Sequence, residues 1–211
     1  MGTGRRPGNM DSAAQINPEG FSFDEATHRY FIGPRVVPGI HELLRDNRLI
    51  GEFRGTTGRG ESVHRACELH DKGVIDEYVI PDEAMPYLMA WEKFCTEFGF
   101  RPRRIEEPLY NTWLCYAGRI DREGTYLHKG TAFRNVVLEI KTVKAEWWHG
   151  VQLALQDMLL PRLPTGPRHR IVVELHKDAT FHVEPFNDMN DFAIGQACVA
   201  LFWLRRNKNC A

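Results

Sequence analysis

The sequence contains no long hydrophobic run. Nowhere in its 211 residues does an apolar stretch approach the roughly 20 residues that a membrane-spanning helix needs. The first residues, Met1–Met10, are rich in glycine and arginine and lack the apolar stretch of a secretory signal peptide. We therefore expect a cytoplasmic protein without a membrane partner.

Closely spaced cysteines are also missing. The absence of a C-x-x-C pair argues against a zinc site or a dithiol redox site, and an odd number of scattered cysteines is typical of a reducing compartment. Three of them fall among apolar residues of predicted helices, where we expect small core side chains. The five cysteines are Cys67, Cys95, Cys115, Cys198 and Cys210, and the three expected in the core are Cys67, Cys95 and Cys198.

The sequence has no excess of positive charge. It carries 27 Lys and Arg residues against 28 Asp and Glu residues, a formal net charge of −1. Such a balance excludes a protein that coats nucleic acid through charge alone. Phosphate would have to be bound by a metal ion or by local basic clusters, each of which a solvated surface explains equally well. The candidate clusters are Arg101, Arg103 and Arg104; Arg162, Arg168 and Arg170; and Arg205, Arg206 and Lys208.

The hydrophobic pattern predicts an α/β protein. Residues 21–37 alternate as in a β-hairpin, and a helix is expected to begin near Pro38. Helices followed by a sheet, a crossover helix and a return to the sheet indicate helices packed on a mixed sheet. We expect one domain over residues 21–211, which fits the chain length, and a flexible tail over residues 1–20. Helical spacing covers 60–72, 82–98, 147–160 and 188–206, and strand spacing covers 104–110, 113–121, 135–141, 170–176 and 180–185.

Two acidic residues and a lysine follow apolar residues of the predicted strands. Glu139 and Lys141 are two apart, so both point to one side of a strand. With Asp121 on an adjoining strand, two carboxylates and an ammonium group would converge. This trio suits phosphodiester hydrolysis, because carboxylates and a backbone carbonyl bind Mg²⁺ and a lysine can orient or deprotonate the attacking water.

A simpler explanation of these residues remains open. Glu139 and Lys141 could form an ion pair on a solvated face, and Asp121 could be a turn residue. The apolar run VVLEI at 136–140 argues against that view, because it places Glu139 near the core, where an unpaired carboxylate is costly. The spacing of the trio alone does not decide between the two.

Five motifs in order resemble the RecB-like branch of the PD-(D/E)XK nucleases, which includes phage recombination exonucleases. The resemblance extends from about Phe21 to the final helix. It implies a restriction-endonuclease-like core, with a central mixed β-sheet flanked by helices and preceded by an N-terminal hairpin and helices. The motifs are GESVH at Gly60–His64, EPLY at Glu107–Tyr110, GRID at Gly118–Asp121, LEIKT at Leu138–Thr142 and QLALQ at Gln152–Gln156.

The resemblance implies a metal-dependent deoxyribonuclease, more an exonuclease than an endonuclease, in DNA recombination, repair or phage DNA processing. Its partners would be DNA and a single-strand annealing or recombination protein. It also implies that one or two Mg²⁺ or Mn²⁺ ions are held by His64, Asp121, Glu139 and the carbonyl of Ile140. Lys141 would be the catalytic lysine. Without the resemblance, His64 would be interpreted as a histidine packed on a helix face.

Two further assignments follow from the motifs. Glu107 would lie near the site, serving a second metal ion or positioning water, whereas Glu106 would point to the other side of its strand. The family motif Q-x-x-x-Y reads Gln152-x-x-x-Gln156 here. Residues four apart share a helix face, and a carboxamide can hydrogen-bond phosphate or a ligand carboxylate. We therefore assign Gln152 to the site, while the replacement of tyrosine leaves the role of Gln156 open.

Some similar nucleases carry an iron–sulfur cluster on four cysteines, three of them near the C-terminus. Only Cys198 and Cys210 lie at that end of this chain, so we expect no cluster. Two other functions stay open: a catalytically inactive DNA-binding module of the same fold, and a nuclease acting on RNA or on CRISPR-related DNA ends.

Overall fold

The computed structural model describes residues 17–51, 58–75, 80–128 and 132–206. Among these residues, no helix combines the length and apolarity required to cross a bilayer. The elements in chain order are β1 (Phe21–Asp24), β2 (Arg29–Ile32), β3 (Arg35–Val37), α1 (Ile40–Asp46), α2 (Gly58–Asp71), α3 (Met85–Glu97), β4 (Arg101–Asn111), β5 (Tyr116–His128), β6 (Ala132–Lys141), α4 (Trp148–Met158), β7 (His169–Leu175), β8 (Phe181–Pro185) and α5 (Asn190–Arg205).

The predicted N-terminal hairpin is present and gains a third strand. β1, β2 and β3 form an antiparallel sheet in that order. Its buried residues Tyr30 and Val37 pack against Tyr110 and Ala117 of the main sheet. The small sheet therefore lies against the neighbouring parts of β4 and β5.

The main sheet is mixed, as predicted. Its strands follow the order β4-β5-β6-β7-β8, and only β6 and β7 run parallel. A parallel pair needs a long crossover connection, and α4 supplies it. The protein thus has an α/β fold in which one helix links the two parallel strands.

Helices cover both faces of the main sheet. On one face, α2 and α3 pack against alternate β6 residues such as Leu138 and Ile140. On the other face, α1, α4 and α5 pack against Val137. Since strand residues alternate between faces, Glu139 lies on the α4 side. The run at 136–140 is buried on both faces, as its continuous apolarity predicted.

Two further sequence expectations concern the cysteines and the tail. Cys67 and Cys198 are buried and Cys95 is half-buried, and all three are free thiols, as expected for core side chains. Most of the predicted tail, residues 1–16, lies outside the described residues. Asn17 is not part of a free tail, because its side chain donates to the Pro108 carbonyl (3.1 Å) and accepts from the Tyr110 amide (3.0 Å).

Candidate active site

The main sheet brings the predicted trio together. Asp121 lies within β5, and Glu139 and Lys141 lie at the end of β6. Asp121 Oδ2 accepts a hydrogen bond from the Ile140 amide (3.0 Å), and Lys141 Nζ donates to Glu139 Oε1 (2.7 Å). Asp121 is therefore not a turn residue. Glu139 and Lys141 do form an ion pair, but it is buried, with the Glu139 side chain only 4% exposed.

The two carboxyl groups have opposite pKa shifts. Burial and the negative charge of Glu139 raise the pKa of Asp121 to about 7. Burial alone would also raise the pKa of Glu139, but Lys141 and the hydrogen bond from Gln156 lower it to about 2. Burial opposes the charged form of Lys141, yet Glu139 and Asp121 together raise its pKa. Lys141 thus pairs directly with Glu139, whereas the positive charges near Asp121 do not outweigh its burial and the repulsion from Glu139.

His64 of α2 faces this carboxylate cluster. Its Nε2 lies 3.0 Å from the Ile140 carbonyl oxygen, and its Nδ1 lies 3.5 Å from Glu106 Oε1 and 3.6 Å from Asp121 Oδ2. Burial lowers the pKa of His64, but the charges of Asp121 and Glu106 outweigh it and raise that pKa. The imidazole is thus aimed at two carboxylates and a carbonyl instead of being packed among apolar side chains.

The expected placement of Glu107 was wrong, because Glu106 and not Glu107 lies beside His64. The Glu106 side chain is 8% exposed, lies beside His64 and accepts from Arg122 Nη1 (2.9 Å). The Glu107 side chain is 37% exposed and binds Arg104 Nη1 at 2.6 Å. Glu107 is therefore held at the surface by its own neighbour.

The local geometry of β4 explains the exchange. The pairing of β4 with β5 keeps one register from Arg104 to Asn111, and the pairs on either side place Glu106 opposite Asp121. Glu106 also has a φ of 49°, an uncommon backbone conformation for this residue type. This conformation departs from the regular strand geometry that alternates side chains between faces, so alternation along β4 does not identify the glutamate that lies beside His64.

Of the two motif glutamines, Gln156 is the one that contacts the trio. Its Nε2 donates to Glu139 Oε2 (2.8 Å) and to the Arg119 carbonyl (3.3 Å). Gln152 lies one turn earlier on α4 and is 2% exposed. Its Oε1 is buried and has no hydrogen-bond partner among the described residues.

The donor set fits a divalent cation. Ligand atoms of His64, Glu106 and Asp121 all lie within 4.8 Å of one another, with the Ile140 carbonyl beside the imidazole. Imidazole nitrogen with carboxylate and carbonyl oxygens suits Mn²⁺ and Mg²⁺. The raised pKa of Asp121 marks negative charge that a cation would offset. Glu139 Oε1 and Oε2 each accept one hydrogen bond, and each retains a further lone pair.

A second group of possible ligands does not fit a metal ion. His70, Asp71 and Cys95 bring ligand atoms within 4.8 Å. However, the Asp71 oxygens already accept from Trp91 Nε1 (2.9 Å) and from Arg122 Nε (2.5 Å). Burial raises the pKa of the Cys95 thiol, which disfavours the thiolate that binds metal.

The basic clusters are largely used in ion pairs within the protein. Each pair is shorter than 3.5 Å, so these arginines are not free to serve phosphate without losing an internal partner. Lys208 lies outside the described residues. The pairs are Arg103 with Glu123, Arg104 with Glu107, Arg168 with Asp157, Arg170 with Asp191, and Arg205 and Arg206 with Asp46.

Comparisons with known proteins leave the family open. No family model matches the sequence, and no curated protein matches it. Among solved structures, the crystal structure of SSO0001 is similar over 81% of this chain and 84% of that chain, at 15% identity and a TM-score of 0.34. A similarity of this size carries no argument about fold or function.

Proposed function

We propose that the protein is a metal-dependent deoxyribonuclease that hydrolyses phosphodiester bonds. The observation that carries this proposal is the convergence of His64, Glu106 and Asp121, with ligand atoms within 4.8 Å, beside the buried pair of Glu139 and Lys141. The ordered motifs that resemble PD-(D/E)XK nucleases support DNA as the substrate. They also support an exonuclease in recombination, repair or phage DNA processing, acting in the cytoplasm with an annealing or recombination protein.

Each side chain has a distinct role in this proposal. His64, Glu106, Asp121 and the Ile140 carbonyl would hold Mg²⁺ or Mn²⁺, with Glu139 as a further carboxylate at the edge of this group. When bound, the ion supplies Lewis acidity that offsets charge on the scissile phosphate and activates water.

Lys141 acts as a hydrogen-bond donor in this mechanism. The negative charges of Glu139 and Asp121 raise its pKa, so the side chain stays protonated at neutral pH and does not serve as a base. Its ammonium group orients the attacking water and stabilises the charge that develops on the phosphate. Glu139, which Gln156 also holds, sets the position of that ammonium.

The distribution of surface charge favours DNA contacts at the candidate active site. Arg119 of β5, which pairs with Pro108 of β4, has a side chain that is 27% exposed. Its Nε lies 3.1 Å from Glu106 Oε2, without hydrogen-bond geometry, so a phosphate at the site would meet this arginine beside the metal ligands. We expect DNA affinity to depend strongly on the metal ion and weakly on general positive charge.

Digestion assays test the proposal. The parent and Asp121→Asn, purified identically, are incubated with end-labelled linear duplex, single-stranded oligonucleotide, closed circular plasmid and RNA, each with Mg²⁺, Mn²⁺ or EDTA. We expect linear DNA to be degraded and closed circles spared. Mn²⁺ should be at least as effective as Mg²⁺, because an imidazole ligand suits manganese better.

Each contrary result has a definite meaning. Cleavage in EDTA would contradict metal dependence, and equal cleavage by Asp121→Asn would show that another site or a contaminant acts. DNA binding without cleavage in either metal would support the inactive binding module. Preferential cleavage of RNA would support the RNA nuclease.

A further inference from the structure

A buried arginine lies directly beneath the candidate active site. Arg122, which follows Asp121 on β5, is 0% exposed. Its Nε donates to Asp71 Oδ2 (2.5 Å) at the end of α2, and its Nη1 donates to Glu106 Oε1 (2.9 Å) on β4 and to the Asp121 carbonyl (2.6 Å). Its guanidinium carbon lies 5.7 Å from the ring centroid of Trp91 on α3. One side chain therefore joins two helices and two strands.

Asp71 connects this arginine to the helix that carries His64. Asp71 and His64 are about two turns apart on α2, so their side chains lie on the same face of the helix. The Asp71 side chain is 2% exposed and also accepts from Trp91 Nε1 (2.9 Å). A hydrogen-bonded charge at this depth has few alternative positions, so the ion pair fixes the end of α2.

The apolar contacts of α2 are poorly suited to fixing the position of the helix. Its fully buried residues are Val63, Ala66 and Cys67, all of which have small side chains, and Leu69 is the one larger apolar side chain of this helix that packs against the same core. Small side chains make shallow ridges and limit sliding or rotation of a helix less than large ones do. The polar anchor at Asp71 therefore determines where His64 lies over the sheet.

We propose that Arg122 is a positioning residue that holds His64, Glu106 and Asp121 at the separations required to bind a divalent cation. The planar guanidinium presents its donors at set angles. It directs one donor to α2, one to the carboxylate of β4 and one to the backbone of β5. This inference rests on one part of the proposed function, namely that these three residues bind a metal ion.

The experiment measures Mn²⁺ affinity by electron paramagnetic resonance, without DNA, in Arg122→Met, Arg122→Lys and Asp71→Asn. Asp71 is informative because it contacts Arg122 but none of the three ligand residues. The double variant Asp71→Asn/Arg122→Met removes both charges of the pair and replaces Arg122→Met if that protein does not fold. Hydrogen exchange of the α2 amides, measured without metal, reports how readily the helix opens when the anchor is removed.

Arg170→Met is the matched control. Arg170 is 1% exposed, pairs with Asp191 at 3.3 Å and lies over the Phe192 ring at 4.4 Å. It is thus a comparably buried, paired and ring-stacked arginine that contacts none of the three ligand residues. Its substitution should reduce stability without changing Mn²⁺ affinity.

We expect Arg122→Met and Asp71→Asn to weaken Mn²⁺ binding by roughly tenfold to a hundredfold, the scale found for residues that orient metal ligands. Exchange of the α2 amides should accelerate, and Arg122→Lys should recover part of the affinity. Parent-like Mn²⁺ affinity in both variants, or an equal loss in Arg170→Met, would overturn the inference. A parent that binds Mn²⁺ but cuts no nucleic acid would instead contradict the proposed function alone.

Discussion

Gln156 Nε2 donates a 2.8 Å hydrogen bond to Glu139 Oε2, while Lys141 Nζ holds Oε1 of the same carboxylate at 2.7 Å. The two donors fix the plane of the Glu139 carboxylate. Gln156 occupies the position of the tyrosine in the motif that this chain resembles. A carboxamide can thus provide a donor at a position where a hydroxyl group would otherwise be expected.

Replacing Gln156 with Leu should lower turnover by roughly tenfold or more. The change keeps the volume but removes a hydrogen bond to a charged group, which contributes about 1.5–3 kcal/mol. Gln152→Leu is the control, because Gln152 is equally buried at 2% exposure on the same helix face. Single-turnover cleavage of linear DNA measures both, and equal losses would show that the contact between Gln156 and Glu139 has no special role.

Lys141→Ala should reduce turnover by about a hundredfold or more, the scale of one lost electrostatic contact in a transition state. DNA affinity measured in Ca²⁺ should change little, because the interaction is made mainly during reaction. Lys144→Ala removes an exposed ammonium group of the same chemistry nearby and should have no such effect. Parent-like cleavage by Lys141→Ala would show that its ion pair with Glu139 is only structural.

Glu106→Gln should weaken Mn²⁺ binding and cleavage together, whereas Glu107→Gln should leave both unchanged. The two residues are adjacent and chemically identical, but only Glu106 lies 3.5 Å from His64. Isothermal titration with Mn²⁺ and cleavage assays distinguish them. The opposite ranking would restore Glu107 to the site.

Acid should destabilise the metal-free protein through His149. This residue is 3% exposed, and its Nδ1 accepts a hydrogen bond from the Glu146 amide (2.7 Å). Burial, and then the positive charge of Lys141, lower its pKa from 6.5 to about 4. The folded protein therefore favours the neutral form. The stabilisation is fully present above pH 6.5 and is lost as pH falls toward 4.

The contribution of His149 to the unfolding free energy should fall by roughly 2 to 3 kcal/mol between pH 7.5 and 4.5. Urea unfolding in EDTA at the two pH values measures it. His149→Gln should lose correspondingly less stability over this window. His182→Gln, at a side chain that is 56% exposed, should keep the parent dependence. An unchanged dependence in His149→Gln would show that other groups control the acid response.

Much of the architecture was determined by the sequence alone. Burial imposes a period of two on strands and about 3.6 on helices, so the hydrophobic pattern located the main-sheet strands and the longer helices. The predicted strand at 135–141 lies within β6, Ala132–Lys141. Alternation along β6 also placed Glu139 and Lys141 on one side, and the apolar run at 136–140 indicated that Glu139 would be buried.

Only the tertiary structure decided which neighbours complete the site. Glu106 and not Glu107 lies beside His64, and the positive φ of Glu106 interrupts the regular alternation of β4. Gln156 reached Glu139 because of how α4 lies on the sheet. The pairing of Arg122 with Asp71, 51 residues apart, has no signature in spacing. Such contacts depend on how separate helices and strands are placed relative to one another and on which charged side chains then form ion pairs. Local periodicity in the sequence carries no information about these two properties.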